Sequence, residues 1–266
     1  MDEIQHVMSE VIKQKKTAIV TGASSGMGRE FARRLDQDHD LEELWVIARR
    51  EDRLESLSGE CRAMVRPLAL DLSREESFTV LEELLTQEQP DVRFLVNAAG
   101  YGLFGTFAEM DLEEQLGIVD LNVRAMTAMC RLCVPYLGQS SAIINLGSNS
   151  SWQPVPYMDV YAASKAYVLS FSRGLGVELK DQGIHVMCVC PGWIKTEFFD
   201  RAVRDDTISY YDRYYTAEQV VNRAMRDLNR KKTVSILGFP VRAQVRLVKH
   251  LPVSMVMKTW CRQQGK

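Results

Sequence analysis

The chain has 266 residues, 46% of them apolar and 26% charged, and a net charge of −2. This is the composition of a soluble globular protein, and the length suits a single α/β domain. No apolar run approaches the ~20 residues of a spanning helix, and Asp2, Glu3 and Glu10 interrupt any signal-peptide core. A cytoplasmic location is therefore expected, with no nucleic-acid partner and with the six cysteines reduced. No metal is expected, because Cys130-x-x-Cys133 has no second pair. Cys188 and Cys190 are read as pointing to opposite sides of one strand.

In chain order, Ile4, Val7, Met8, Val11 and Ile12 follow helical spacing and predict a short lead-in helix within an N-terminal extension, 1–15. Thr17-Ala18-Ile19-Val20 is a β-type run, followed by a glycine-rich turn from Thr21 to Gly28 and then by a helical pattern through Phe31, Ala32 and Leu35. Strand, glycine turn and helix together present backbone N–H groups and a positive dipole end to a phosphate. Gly22 allows the turn, Gly26 allows close approach to a pyrophosphate, and Gly28 allows close packing of the helix. A second strand, Leu44 to Ala48, ends in Arg49-Arg50. An acid at that strand end would accept the ribose 2′-hydroxyl of NAD. Ala48 supplies none, and the guanidinium of Arg49 suits a 2′-phosphate, so NADP(H) is the expected cofactor. Arg50 is read as solvated. Two further strands end at Asp71-Leu72 and at Asn97-Ala98-Ala99-Gly100, which predicts Asp71 near the adenine and Asn97 near a ribose. Asp71 also suits the start of a helix over 74–89.

The chemistry-bearing stretch follows the buried strand Ala142 to Leu146. Ser148 comes just after it, and Tyr161 and Lys165 lie four apart, on one face of a helix. A phenol titrates near ~10, and an ammonium beside it is expected to pull that value toward working pH. A hydroxyl at Ser148 can hydrogen-bond the same substrate oxygen. Taken alone, a Tyr and a Lys at this spacing are more often a solvated pair.

Taken together, TGASSGMG, NAAG, Asn122 within LNVRAM, Ser148, YAASK and Pro191-Gly192 occur in the order of one family. Over roughly residues 15–240 the chain resembles the short-chain dehydrogenase/reductases. The resemblance implies a Rossmann-like, doubly wound parallel sheet with helices on both faces. It implies Tyr161 as general acid/base, Lys165 as modulator of its pKa and ligand of the nicotinamide ribose, and Ser148 as the group orienting the substrate oxygen. Asn122 would hold a water linking the lysine to solvent. Gly147-Ser148 replaces the frequent Ser-Ser pair. Cofactor contacts would come from Gly22, Ser24, Ser25, Gly26, Met27 and Gly28. Others would come from Arg49, Asp71, Leu72, Asn97, Ala98 and Gly100, and from Tyr161, Lys165, Pro191, Gly192, Ile194 and Thr196. Helical stretches near 111–137 and 157–182 would form the interface of a homodimer or homotetramer.

Loops 101–107, 149–158 and 193–216 are rich in aromatics, among them Trp152, Trp193, Phe198, Phe199 and Tyr210. That lining suits a bulky apolar ketone or alcohol, such as a hydroxysteroid, a bile acid or a long-chain oxo compound. A non-catalytic, dinucleotide-sensing protein is the competing class. The tail 240–266 is basic and apolar, and from Leu228 to Lys266 nine Lys or Arg stand without an Asp or Glu. It is expected to pack over the substrate mouth or a neighbouring subunit, with a peripheral membrane contact as the sharper alternative.

Overall fold

The computed structural model describes residues 14–266 except 204–206, 210 and 212–213. The expected lead-in helix and Tyr210 lie outside the described residues. The elements alternate as the hydrophobic pattern predicts. They begin with β1 (Lys16–Thr21), α1 (Gly26–Asp38), β2 (Glu43–Ala48), α2 (Glu51–Glu55), β3 (Met64–Ala69), α3 (Glu76–Glu88) and β4 (Asp91–Asn97). A long helix follows in two parts, α4 (Leu112–Val119) and α5 (Met126–Cys133), joined by a π-helical turn at Asp120–Ala125. Then come β5 (Leu137–Leu146), α6 (Asp159–Glu178) and β6 (His185–Val189).

Seven strands form one parallel sheet in the order β3-β2-β1-β4-β5-β6-β9, where β9 is Val234–Ser235. Parallel strands need helical crossovers, which cover both faces and bury the inner strands. Side chains accordingly alternate between two cores. Ala18, Val20, Leu44 and Val46 meet Phe31 and Leu35 of α1 and Val221 and Met225 of α8 (Ala217–Asn229). Ile19, Trp45 and Ile47 meet Leu81 and Leu85 of α3, Met129 and Cys133 of α5, and Val168 of α6. Cys188 and Cys190 lie together in this second core, with their sulfurs 3.6 Å apart. They do not face opposite sides, because residues two apart on a strand share a face.

The strand order reverses between β1 and β4, and the carboxyl ends of both open into a crevice there. Thr21 ties the two ends together, its hydroxyl oxygen accepting from the amides of Ala98 and Ala99 at 3.1 Å each. Past β6 the chain builds a second layer over this crevice. It comprises the short pair β7 (Trp193–Ile194) and β8 (Tyr214–Tyr215), α7 (Phe198–Ala202), α9 (Phe239–Val248) and α10 (Val253–Gln263).

Candidate active site

Two adjoining cavities of about 460 Å³ each occupy the carboxyl edge of the sheet. The first is cradled by the glycine turn. Gly22 has φ of +68°, and a Cβ there would come within 2.7 Å of the Ala99 amide. A Cβ on Gly28 would strike the Gly22 carbonyl. Only glycine fits this pair, and the turn leaves bare backbone facing the cavity beside the start of α1. Ser24, Ser25, Gly26, Met27, Arg49, Asp71, Leu72, Ala98 and Gly100 line the same cavity. An elongated anionic dinucleotide fits these residues, since the bare backbone of the glycine turn can meet its phosphates. The Asp71 carboxyl is partly buried, which alone would raise its pKa, but hydrogen bonds from the Ser73 hydroxyl and amide hold it below the usual range.

Three sequence expectations change here. Asn97 ends β4 as predicted, but its side chain turns into the core, donating to Asn145 Oδ1 at 2.8 Å and to Cys130 Sγ at 3.3 Å. It lines neither cavity. The reason is strand alternation, which aims the neighbouring Ala98 at the crevice instead. Arg50, read as solvated, donates to Ser24 Oγ at 3.1 Å and pairs with Glu197 at 2.8 Å. Arg53 reaches the same carboxylate at 3.5 Å, and the bond from Arg50 holds the Glu197 carboxyl below its ordinary range. Arg49 is exposed and makes no ion pair among the described residues. Trp152, read among the aromatics of the lining, does not line either cavity. It packs against the second core and lies under Lys249 and Arg173, 4.0 and 4.6 Å from its ring.

The second cavity holds the residues that the sequence marks as candidates for proton transfer. Ser148 follows β5, and its hydroxyl caps the 3₁₀ turn Asn149–Trp152 by accepting from the Ser150 amide at 3.2 Å. Tyr161 and Lys165 project from the first turns of α6 into the same space. The lysine amine donates to the Leu146 carbonyl at 2.8 Å and lies 5.7 Å from the centre of the Tyr161 ring. Burial pushes its pKa down to about 8. Burial also pushes the phenol up to about 12, with a hydrogen bond to Ser148 working the other way. The expected lowering of the phenol by the ammonium is thus not what the site displays. Desolvation dominates the phenol, and the amine is engaged with the Leu146 carbonyl.

Asn122 lies in the π-helical turn, a distortion that recurs at functional sites. Its amide donates to the Tyr101 carbonyl at 2.9 Å and to Ser164 Oγ at 3.0 Å, and its oxygen accepts from the Tyr101 amide at 3.0 Å. It thereby pins the loop after β4 against α6. A Cβ on Gly100 would lie 2.7 Å from Asn122 Oδ1 and 3.5 Å from Lys165 Nζ, so that glycine keeps the loop close to both. Gly102 is a site residue that sequence reasoning misses. A Cβ there would come within 2.6 Å of the Tyr161 ring, and its only signal is a second glycine two residues after NAAG.

Around the phenol the walls are largely apolar. Met158, Trp193, Phe198 and Phe199 contribute, together with Pro191, Gly192, Ile194 and Thr196. The Phe198 ring stands 5.5 Å from that of Tyr161. Leu247, Leu251, Val256 and Trp260 close the far side, so the tail packs over the mouth of the cavity.

Residues 16–207 match the family described as short chain dehydrogenase. Sulfoacetaldehyde reductase 2 of Chromohalobacter salexigens is 35% identical over 187 residues, 68% of this chain and 73% of that protein. A short-chain dehydrogenase from Sphingobium yanoikuyae, solved with NADPH, superposes with a TM-score of 0.75 at 30% identity, covering 89% of this chain and 96% of that one. The bulky-bulky ketone specific alcohol dehydrogenase from Comamonas testosteroni superposes with a TM-score of 0.70 at 26% identity, covering 93% and 92%. With the glycine cradle, the sheet order and the Ser–Tyr–Lys cluster on the same edge, the chain belongs to the short-chain dehydrogenase/reductase family.

Proposed function

We propose that this chain is an NADP(H)-dependent oxidoreductase that interconverts a bulky, mostly apolar ketone and its secondary alcohol. The carrying observation is that Ser148, Tyr161 and Lys165 line one aromatic-walled cavity, which adjoins the glycine cradle. A bound nicotinamide supplies a hydride to the carbonyl carbon. The substrate oxygen accepts hydrogen bonds from the Ser148 and Tyr161 hydroxyls, and Tyr161 gives its proton to that oxygen as the carbon is reduced. Burial keeps the Tyr161 phenol protonated at neutral pH, so its hydroxyl is present as a proton donor for a carbonyl oxygen. Lys165, near 8, carries a positive charge for much of the neutral range and lies where it can hold a ribose hydroxyl.

The preference for the phosphorylated cofactor rests on Arg49, which follows β2 where Ala48 supplies no acid, with Arg50 beside it engaged by Glu197. The substrate class rests on the walls: a cavity of this size suits a steroid-like or long-chain ketone, and one structural neighbour is named for bulky ketones. A panel of ketones assayed with NADPH and NADH tests the reading. Tyr161→Phe keeps the ring packing and removes the transferable proton, so turnover should fall by ~10²–10⁴-fold while cofactor affinity stays near wild type. Near-normal turnover in that variant would sink the assignment.

A further inference from the structure

The tail that closes the substrate cavity also carries an unusual outer surface. Val241 and Val245 of α9 are buried, and the opposite face presents Phe239, 72% exposed, and Leu247, 59% exposed, with Arg246 between them. Across Pro252, α10 begins with Val253 and Met255, which are 53% and 49% exposed, and continues into exposed Lys258 and Arg262. Scattered exposed apolar residues are ordinary. Four on two consecutive helices, which also carry Arg242, Arg246, Lys258 and Arg262 and no Asp or Glu, make a surface of one chemical kind. Leu247 both lines the cavity and faces solvent, as do Gln244, Thr259 and Gln263, so the opening lies between these two helices.

We propose that α9 and α10 seat this protein on an anionic lipid surface, with the mouth of the substrate cavity turned toward the bilayer. The inference rests on the reading of the substrate as an apolar ketone, which such a surface would hold in solution. Basic residues flanking large apolar side chains are the pattern that lies in a membrane interface, and each Lys or Arg near an anionic leaflet adds attraction. A second copy of this chain is a poorer occupant. A two-fold contact would set the same cationic patch against itself, and like charges across an interface are repulsive.

The full chain is sedimented with vesicles of phosphatidylcholine alone and with vesicles of phosphatidylcholine mixed with phosphatidylglycerol. Wild type should partition onto the mixed vesicles and leave them at high salt. Arg246→Glu/Lys258→Glu alters neither cavity and should weaken partition by at least about tenfold, with an unchanged melting temperature as the check on folding. Phe239→Ser should weaken it without changing its salt dependence. A wild type that stays in the supernatant with both vesicles overturns the proposal, and so does a double variant that partitions like wild type. A wild-type oligomer, without vesicles, that the double variant dissociates assigns the face to a second copy and overturns it as well. Partition is read without ketone or cofactor. Vesicle binding retained alongside absent ketone turnover therefore sinks the functional reading alone.

Discussion

Gly147 stands where the family more often has serine, and at the scale of single residues its neighbours explain the change. A Cβ on Gly147 would come within 2.7 Å of Cys188 Sγ and 3.0 Å of Cys190 Sγ, and both thiols are fully buried. The two cysteines share a face and together fill the space a serine would need. Gly147→Ser should therefore cost about 1–3 kcal/mol of stability, the usual penalty for overpacking a tight core, read by urea denaturation. Adding Cys188→Ala to that variant should restore part of the loss. A single variant as stable as wild type would mean the sulfurs move aside freely. None of this was legible in the sequence, where the glycine looked like a neutral replacement. Ser148, Tyr161 and Lys165 were legible, because their spacing on one strand end and one helix face comes in order with the glycine turn, NAAG and Pro191-Gly192. Their pKa values were not, since desolvation depends on how the tail and the aromatic walls cover them.

At the scale of elements, the sheet strands were readable because each buried one is a short continuous apolar run ending in a turn signal. The layer beyond β6 was not readable in that way. Its strands are two residues long, and its helices lean on residues far away in sequence. The link between α2 and α7 is one such feature. Glu197, just before α7, is held by Arg50 and Arg53 across the mouth of the cofactor cavity. A carboxylate so placed occupies the guanidinium that a 2′-phosphate would seek. Glu197→Gln should then tighten NADPH by about two- to fivefold, the scale of an exposed ion pair, and leave NADH nearly unchanged. Titration of cofactor fluorescence reads both. An equal gain for the two cofactors would show that Glu197 acts on the shared part of the molecule and not on the phosphate.

At the scale of the whole molecule, the buried amine of Lys165 ties stability to pH. Its pKa falls from an ordinary 10.5 to about 8 on folding, so between those values the unfolded chain binds more protons than the folded one. Stability therefore rises with pH across that window. Below about 8 both states are protonated and the full penalty for burying the charge remains. Each tenfold change in proton affinity is worth about 1.4 kcal/mol, so the gain between roughly pH 7 and pH 9.5 is about 2 kcal/mol. Tyr161 acts in the opposite sense but higher, because its phenol moves from 10.0 to about 12 and disfavours folding only as pH climbs through that range. The difference between wild type and Lys165→Met isolates the effect, since methionine fills similar space without a charge. Wild type should gain about 2 kcal/mol relative to the variant over that range in urea denaturation. Parallel stability curves would mean that the amine is solvated in the folded chain and that burial does not tune this site.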